Sequence, residues 1–231
     1  MHEGLVKQVR FSSVDADAND EHGFVRVRPT RRSNRFMVAK RFIQAAFLVG
    51  SLPRLLVYQT SRLLFGPRAL LSASESIARI PGMRGVYLRQ AFYRRTLAQC
   101  GRDVYFGWQS VFSMAEAVVG ERVYIGRFCS IGFVDIGEEV MLADGVQILS
   151  GGREHSTRRT EQESMQEQGQ CYQKVRIGRG AWIGARAIIM ADVGPDAIIG
   201  AGAVVNRPIP AGCVAVGVPA RVVKSPENIN A

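Results

Sequence analysis

Six Ile-Gly dipeptides, Ile125-Gly126, Ile131-Gly132, Ile136-Gly137, Ile177-Gly178, Ile183-Gly184 and Ile199-Gly200, run through the second half of this sequence at intervals that keep returning to six. Phe106, Phe112, Val118, Leu142, Ile148, Ile189 and Val205 continue the same register. A strand alternates with period two and a helix with 3.6, so neither sustains such a pattern over a long span. A coil of three short straight sides does. Each aliphatic residue then points inward and stacks on its equivalent in the next coil, about 4.8 Å away at inter-strand spacing. Small residues such as Ser130, Ala185, Ala201 and Ala203 suit tight corners, and glycine suits turn conformations that a Cβ hinders. The spacing predicts a mainly β fold, a triangular prism of parallel strands over residues 101–231.

The first hundred residues differ in kind. They hold 17 Lys and Arg against 6 Asp and Glu, whereas residues 101–231 hold 13 against 14, so the whole basic excess is N-terminal. Residues 1–35 read as a flexible basic leader with few aromatics, an acidic cluster at Asp15, Asp17, Asp20 and Glu21, and then Arg26, Arg28, Arg31, Arg32 and Arg35. The first 30 residues have no apolar core segment of the secretory kind, so no cleaved signal is expected. Cys100, Cys129, Cys171 and Cys213 form no Cys-x-x-Cys pair, which suggests reduced thiols and a cytoplasmic setting.

Residues 36–100 read as an N-terminal helical region. From Phe36 to Phe65 the chain is apolar, with Lys40, Gln44, Ser51, Arg54 and Arg62 forming one polar stripe of a helix broken near Pro53. Its longest uncharged run, Phe42 to Pro53, is about half of the roughly 20 residues a membrane span needs. Two readings stay open: the segment lies in a membrane interface, its basic residues on anionic headgroups, or it packs on its own domain or a neighbouring subunit. Nucleic-acid binding is disfavoured, because no stacking platform or reader motif accompanies the basic residues. Residues 66–100 read as a loop through Ile80-Pro81-Gly82 and then a helix over about Val86 to Gln99. These helices are suited to cap the open end of the coil, since bare strand edges invite aggregation.

The pattern over residues 104–224 resembles the hexapeptide-repeat acyltransferases, and most specifically at its end: Ile198-Ile199-Gly200-Ala201-Gly202-Ala203-Val204-Val205, Ile209-Pro210-Ala211-Gly212 and Gly217-Val218-Pro219-Ala220-Arg221-Val222-Val223-Lys224. The resemblance implies a left-handed parallel β-helix preceded by an N-terminal helical segment. Periodicity alone fixes no hand, and this one departs from the usual right-handed crossover. The likeness is greatest to the branch that acetylates sugars and polysaccharides. It implies a homotrimer with donor sites between neighbouring β-helices, and acetyl-CoA as co-substrate with no metal. The stretch between Met190 and Ile199 is shorter than the common family form, so one coil is cut at a corner.

The repeat is interrupted once, between Ser150 and Lys174, and an excursion of this length from a regular coil is usually functional. It carries His155, where the other histidines, His2 and His22, lie in the leader. Acyl transfer from a thioester to a hydroxyl needs a base near neutral pKa and donors where the oxyanion develops, which a histidine and Gly-rich corners supply. In the family the base is a His just past a coil ending in small residues, and His155 after Ser150-Gly151-Gly152 matches that place, with Arg153 and Glu154 intervening. Glu154 is the candidate to orient the imidazole. Arg158 and Arg159 are candidates to meet an anionic acceptor or coenzyme A phosphates. The Asn or Asp that some members use for the acceptor has no equivalent around Cys129-Ser130-Ile131-Gly132-Phe133, where Ser130 is the polar candidate.

On the donor side the resemblance places Trp182 beside the pantetheine arm, with Ala185 and Ala201 at corners whose backbone bonds it. Asn206 and Arg207 stand at the adenine-side Thr-Lys position, and Arg221 and Lys224 would meet phosphates, for which both cations are suited. The expected activity is acetyl transfer to a sugar hydroxyl of a glycan or glycolipid precursor at the inner face of the membrane. A zinc enzyme of carbonic-anhydrase type needs several His ligands, and the repeat region holds one His. The remaining alternative is an inactive β-helix scaffold that binds partners or membrane.

Overall fold

The computed structural model describes residues 11–15, 26–29, 34–151 and 172–226. The described chain is a parallel β-solenoid closed at its N-terminal end by helices. In the leader, Phe11–Asp15 pairs antiparallel with Arg26–Pro29. Helix α1 spans Asn34–Gly50 and α2 Leu52–Phe65. The break falls at Ser51, whose Oγ donates to the Leu48 carbonyl at 2.7 Å, with Pro53 in the first turn of α2. Such a side chain inserted into the helical ladder, followed by a proline, is a sufficient cause for a kink. No single helix among the described residues is long and apolar enough to cross a membrane, although the stretches either side of this break, bent by 46°, are so when taken together.

Where the sequence reads as a loop after Phe65, the chain forms a short 3-10 turn, Gly66–Arg68, and a third helix, α3, Ala69–Ala78. Three serines in ten residues disguise it. One of them, Ser74, lies on the buried face with Leu70, Ile77 and Ala78, because its hydroxyl has two partners there. The last helix, α4, spans Gly82–Thr96, earlier than the expected Val86 to Gln99, since the extended Pro81 ends the loop and Gln99–Cys100 already forms the first strand of the solenoid.

Each coil has three sides. The first coil runs through Gln99–Cys100, Tyr105–Phe106 and Val111–Phe112, and the second through Val118–Val119, Tyr124–Ile125 and Ser130–Ile131. The third runs through Val134–Ile136, Met141–Leu142 and Gln147–Ile148, and the fourth through Val175–Ile177, Trp182–Ile183 and Ile188–Ile189. The fifth has Val193, Ile198–Ile199 and Val204–Val205, and the last has Ile209 and Val214–Val216, on which Arg221–Lys224 folds back antiparallel. Register stacks Phe106, Ile125, Leu142, Ile183, Ile199 and Ala215 in one inward column, and Phe112, Ile131, Ile148, Ile189 and Val205 in another. All are buried. The inward column of the remaining side passes through Val119, not Val118: that step is seven residues long, so the six-residue count lands one position short. Ser130 is likewise an exposed strand residue and not a corner filler.

The glycines serve a purpose other than the turns expected of them. None of the six Ile-Gly glycines has positive φ. A Cβ on Gly184 would lie 2.5 Å from the backbone nitrogen of Ala201, and one on Gly137 2.7 Å from that of Arg179, both in the next coil. The coils stack so closely at this position that a hydrogen is all that fits. The left-handed turn conformation falls two residues later, where Phe128, Glu139 and Arg186 adopt it as readily as Gly180 and Gly202. Such φ values are strained for side-chain-bearing residues in isolation, and here hydrogen bonding to the previous coil holds them: Phe128 N–H donates to the Trp108 carbonyl and Arg186 N–H to that of Asp144.

The helices close the exposed end of the columns. Tyr93 of α4 lies between Phe106 and Phe112, ring centroids 4.7 and 4.9 Å away, and Phe92 packs edge-on against Tyr58 of α2. The Ser74 hydroxyl shares a 2.6 Å hydrogen bond with Tyr93 and accepts the Phe112 N–H at 2.9 Å. Arg89, buried, donates to the Phe106 carbonyl at 3.0 Å and the Ile80 carbonyl at 2.8 Å. Gly85 makes that reach possible, since a Cβ there would collide with the Ile80 carbonyl. Replacing Ser74 by Ala strands a buried N–H at Phe112 and is expected to cost about 1–3 kcal/mol, read as a lower urea midpoint with an unchanged slope. Burial pushes the Tyr93 phenol and the Cys100 thiol up to about 12, and the Cys129 thiol to about 11. These groups keep their protons longer folded than unfolded, so their stabilisation is complete below about pH 9 and is lost as pH rises from there towards 12. Melting temperature should fall between pH 8.5 and 10.5, and Cys129→Ala should flatten that fall.

Candidate functional site

Counting the sides from the Phe106 column as first, the Phe112 column as second and the Val119 column as third, the step is six residues from the third column to the first and from the first to the second in every coil. At the remaining corner, between Phe112 and Val119, Ile131 and Ile136, Ile189 and Val193, and Val205 and Ile209, it varies. The shortened stretch after Met190 is one of these variations. The long excursion leaves the solenoid at the same corner, between Ile148 and Val175. Its base is clasped. Gln173 N–H donates to the Ser150 carbonyl at 2.8 Å, and the buried Ser150 Oγ accepts the Phe133 N–H at 3.0 Å. Gly151, at φ +93°, approaches Gln173 so closely that a Cβ would lie 2.8 Å from the Gln173 Cβ. Lys174 sets its ammonium 4.7 Å from the centre of the Phe133 ring, within cation–π range. Chain exit and return are therefore held together at one point. His155, Glu154, Arg158 and Arg159 lie outside the described residues.

Beside this exit, Ser130 and Gln147 are cross-strand neighbours on the outer surface of the second side, both exposed. Gln147 escaped the sequence reading, yet the register contains it: the residue before each inward aliphatic faces outward, and Gln147 precedes Ile148 as Ser130 precedes Ile131. Together they form a polar patch one strand-length from the clasped loop base.

The donor-side residues separate into groups. Trp182 is half-exposed on the outer surface of the first side, in one cross-strand row with Met141, Ile198, Val214 and Lys224. Ala185 and Ala201 occupy the equivalent corner in successive coils, joined by Gly202 N–H donating to the Ala185 carbonyl at 2.8 Å. Among the described residues, no backbone carbonyl accepts from the N–H of Ala185 or Ala201. Donors without a backbone acceptor, at a corner with side chains no larger than methyl, are of the kind a thin polar ligand can engage. Arg221 and Lys224 stand on the terminal antiparallel strand of that first side, exposed. Asn206 and Arg207 lie apart, at the next corner of the coil, beyond the Val204–Val205 strand. The structure thus gathers Trp182, Ala185, Ala201, Arg221 and Lys224 along one side and its trailing edge, and sets Asn206 and Arg207 at the following corner.

The family described as Bacterial transferase hexapeptide (six repeats) matches residues 174–207. Over those residues the chain carries the repeat of the hexapeptide transferases. Its solenoid is the left-handed parallel β-helix of that family. It is 28% identical over 149 residues to the galactoside O-acetyltransferase of Escherichia coli, covering 59% of this chain and 68% of that protein. It is 36% identical over 91 residues to a serine acetyltransferase of Salmonella typhimurium, of which it spans 31%. Among solved structures it is similar to a maltose O-acetyltransferase from Clostridium difficile, with TM-score 0.61 and 28% identity over 71% of this chain and 88% of that one. It is also similar to a galactoside acetyltransferase in complex with coenzyme A, with TM-score 0.59 and 25% identity over 69% and 80%.

Because Gly184 lets the Ala185 and Ala201 corners touch, Gly184→Ala should push them apart. The expected cost is about 1–3 kcal/mol in denaturant unfolding, while Ala201→Ser, on an exposed corner, should leave stability within about 0.5 kcal/mol.

Proposed function

We propose that this hexapeptide-repeat transferase moves an acetyl group from acetyl-CoA to a hydroxyl of a sugar, within a glycan or glycolipid precursor at the inner face of the membrane. The observation that carries the reading is the pair of unengaged N–H groups at Ala185 and Ala201, on the side that also bears Trp182, Arg221 and Lys224, in a chain whose relatives are acetyltransferases. The pantetheine arm lies along that trailing edge against the Trp182 ring, with its amides on the two N–H groups. Arg221 and Lys224 take its phosphates, and Asn206 and Arg207 stand at the following corner for the adenine end.

The acceptor enters beside Ser130 and Gln147, near the loop base clasped at Ser150 and Gln173. His155 takes the proton of the sugar hydroxyl as its oxygen attacks the thioester carbonyl. Glu154 orients the imidazole, and Arg158 and Arg159 meet negative charge on the acceptor or donor. The tetrahedral intermediate then collapses, the carbon–sulfur bond breaks, and the departing thiolate receives the proton His155 holds. The product is the acetyl ester with free coenzyme A. A trimer would form each donor site between neighbouring solenoids, and the apolar outer row of Trp182, Met141 and Ile198 is the kind of surface such a contact covers.

The experiment is calorimetric titration with acetyl-CoA and coenzyme A, followed by a thiol-release assay over sugar acceptors. Saturation near one site per chain is expected. His155→Ala should lower kcat by about 10²–10⁴, the usual contribution of a general base, with coenzyme A affinity nearly unchanged. Full activity in that variant would remove His155 from the mechanism, and absence of donor binding would leave the scaffold reading in its place.

A further inference from the structure

A cavity of about 780 Å³ opens between α2 and α3, within the range of roughly 300–1,000 Å³ typical of small-molecule sites. Its floor is apolar and buried: Tyr58, Ile77 and Phe92. Val57 and Phe65, 64% and 70% exposed, form its outer wall, and Arg54 and Arg68 stand on the rim. Among the described residues no carboxylate lines it. Outside the groove, Leu56, Leu63 and Leu64 of α2 and Phe42 and Val49 of α1 form an apolar ridge on each helix, each residue at least 66% exposed.

Charge decides what such a groove accepts. From His22 to Ser74 the chain carries ten Arg and Lys and not one Asp or Glu. A second copy pairing through the same face would set these cations against each other. A neutral apolar ligand would leave Arg54 and Arg68 without a counter-charge at the mouth. An amphiphile with a phosphate head satisfies both: its chain fills the floor against Tyr58, Ile77 and Phe92, and its phosphate meets the two guanidinium groups, which bind that geometry well. The surrounding ridge enters the same lipid layer that supplies it, since apolar helices bordered by cations bind anionic interfaces.

We propose that the α2–α3 groove is a binding site for one alkyl chain of a phosphate-bearing lipid, which seats the protein on an anionic membrane. The site lies on the helical cap, outside the solenoid residues assigned to donor and acceptor, so its occupancy is read separately from acetyl transfer.

The test is calorimetry of the full chain with dodecyl phosphate below its micellar concentration, with dodecyl maltoside and inorganic phosphate as partial probes. Dodecyl phosphate should saturate at one site per chain, while inorganic phosphate shows no saturation at the same concentrations and dodecyl maltoside binds at least tenfold more weakly. Ala73→Trp, which fills the groove, should weaken dodecyl phosphate binding at least tenfold and leave thiol release with a soluble acceptor unchanged. The surface double variant Arg54→Gln/Arg68→Gln, which leaves the apolar floor intact, should weaken it similarly and reduce sedimentation with vesicles containing phosphatidylglycerol. Three results would each overturn the proposal: equal binding of inorganic phosphate, which makes this an anion site alone; dodecyl phosphate affinity indifferent to both variants; or loss of an oligomer in Ala73→Trp by sedimentation velocity, which makes the occupant a second copy.

Discussion

A stack of parallel coils has two ends, and at each end its hydrophobic columns and strand edge would face water. Everything else in this molecule presupposes that the N-terminal end is closed. The closure is specific. Tyr93 inserts between Phe106 and Phe112, the first members of two inward columns, and its hydroxyl meets Ser74, which also takes the Phe112 N–H. Arg89 answers the Phe106 carbonyl from the same helix. Aromatic packing thus supplies the apolar contact, and a few buried polar groups satisfy backbone that a strand would otherwise have paired. At the other end, the antiparallel Arg221–Lys224 strand covers Val214–Val216 and presents charge outward, a common way to blunt an edge.

From that fixed end the register propagates by stacking. Close approach of successive coils at the Ile-Gly glycines keeps the columns aligned, and the main-chain bonds between coils hold even Phe128 and Arg186 in left-handed conformations. The paired corners at Ala185 and Ala201 exist because this spacing is uniform. Among the described residues their N–H groups have no backbone carbonyl as partner.

The solenoid was legible in the sequence because inward burial repeats with a period that no helix or strand shares. Its inward columns follow from Ile125, Ile131, Leu142, Ile148, Ile183 and Ile199 almost without structural knowledge. The slip to Val119 was not legible, since Val118 and Val119 are both aliphatic and only the partner across the ladder distinguishes them. Nor was α3. Ser74 reads as a loop residue until Tyr93 and Phe112 are known to meet it, and these contacts cross 19 and 38 residues of sequence. The function of the glycines was misread for a similar reason, because a Cβ clash with the next coil is a tertiary fact with no local trace. In the candidate site, the pairing of Gln147 with Ser130 could have been read from register, whereas the clasp of Ser150 on Gln173 joins two ends of an excursion whose return point no periodicity marks.

All variation in coil length falls at a single vertex of the triangle, and the long excursion leaves from that vertex as well. The other two vertices are constrained on both sides by six-residue steps. A lineage built on this plan can therefore lengthen, shorten or replace whatever hangs from the permissive vertex without disturbing a single inward side chain. What the excursion carries can diverge while the stacked columns and the corner at Ala185 and Ala201 stay as they are. The prism separates what is inherited from what is free to drift, and it does so by geometry alone.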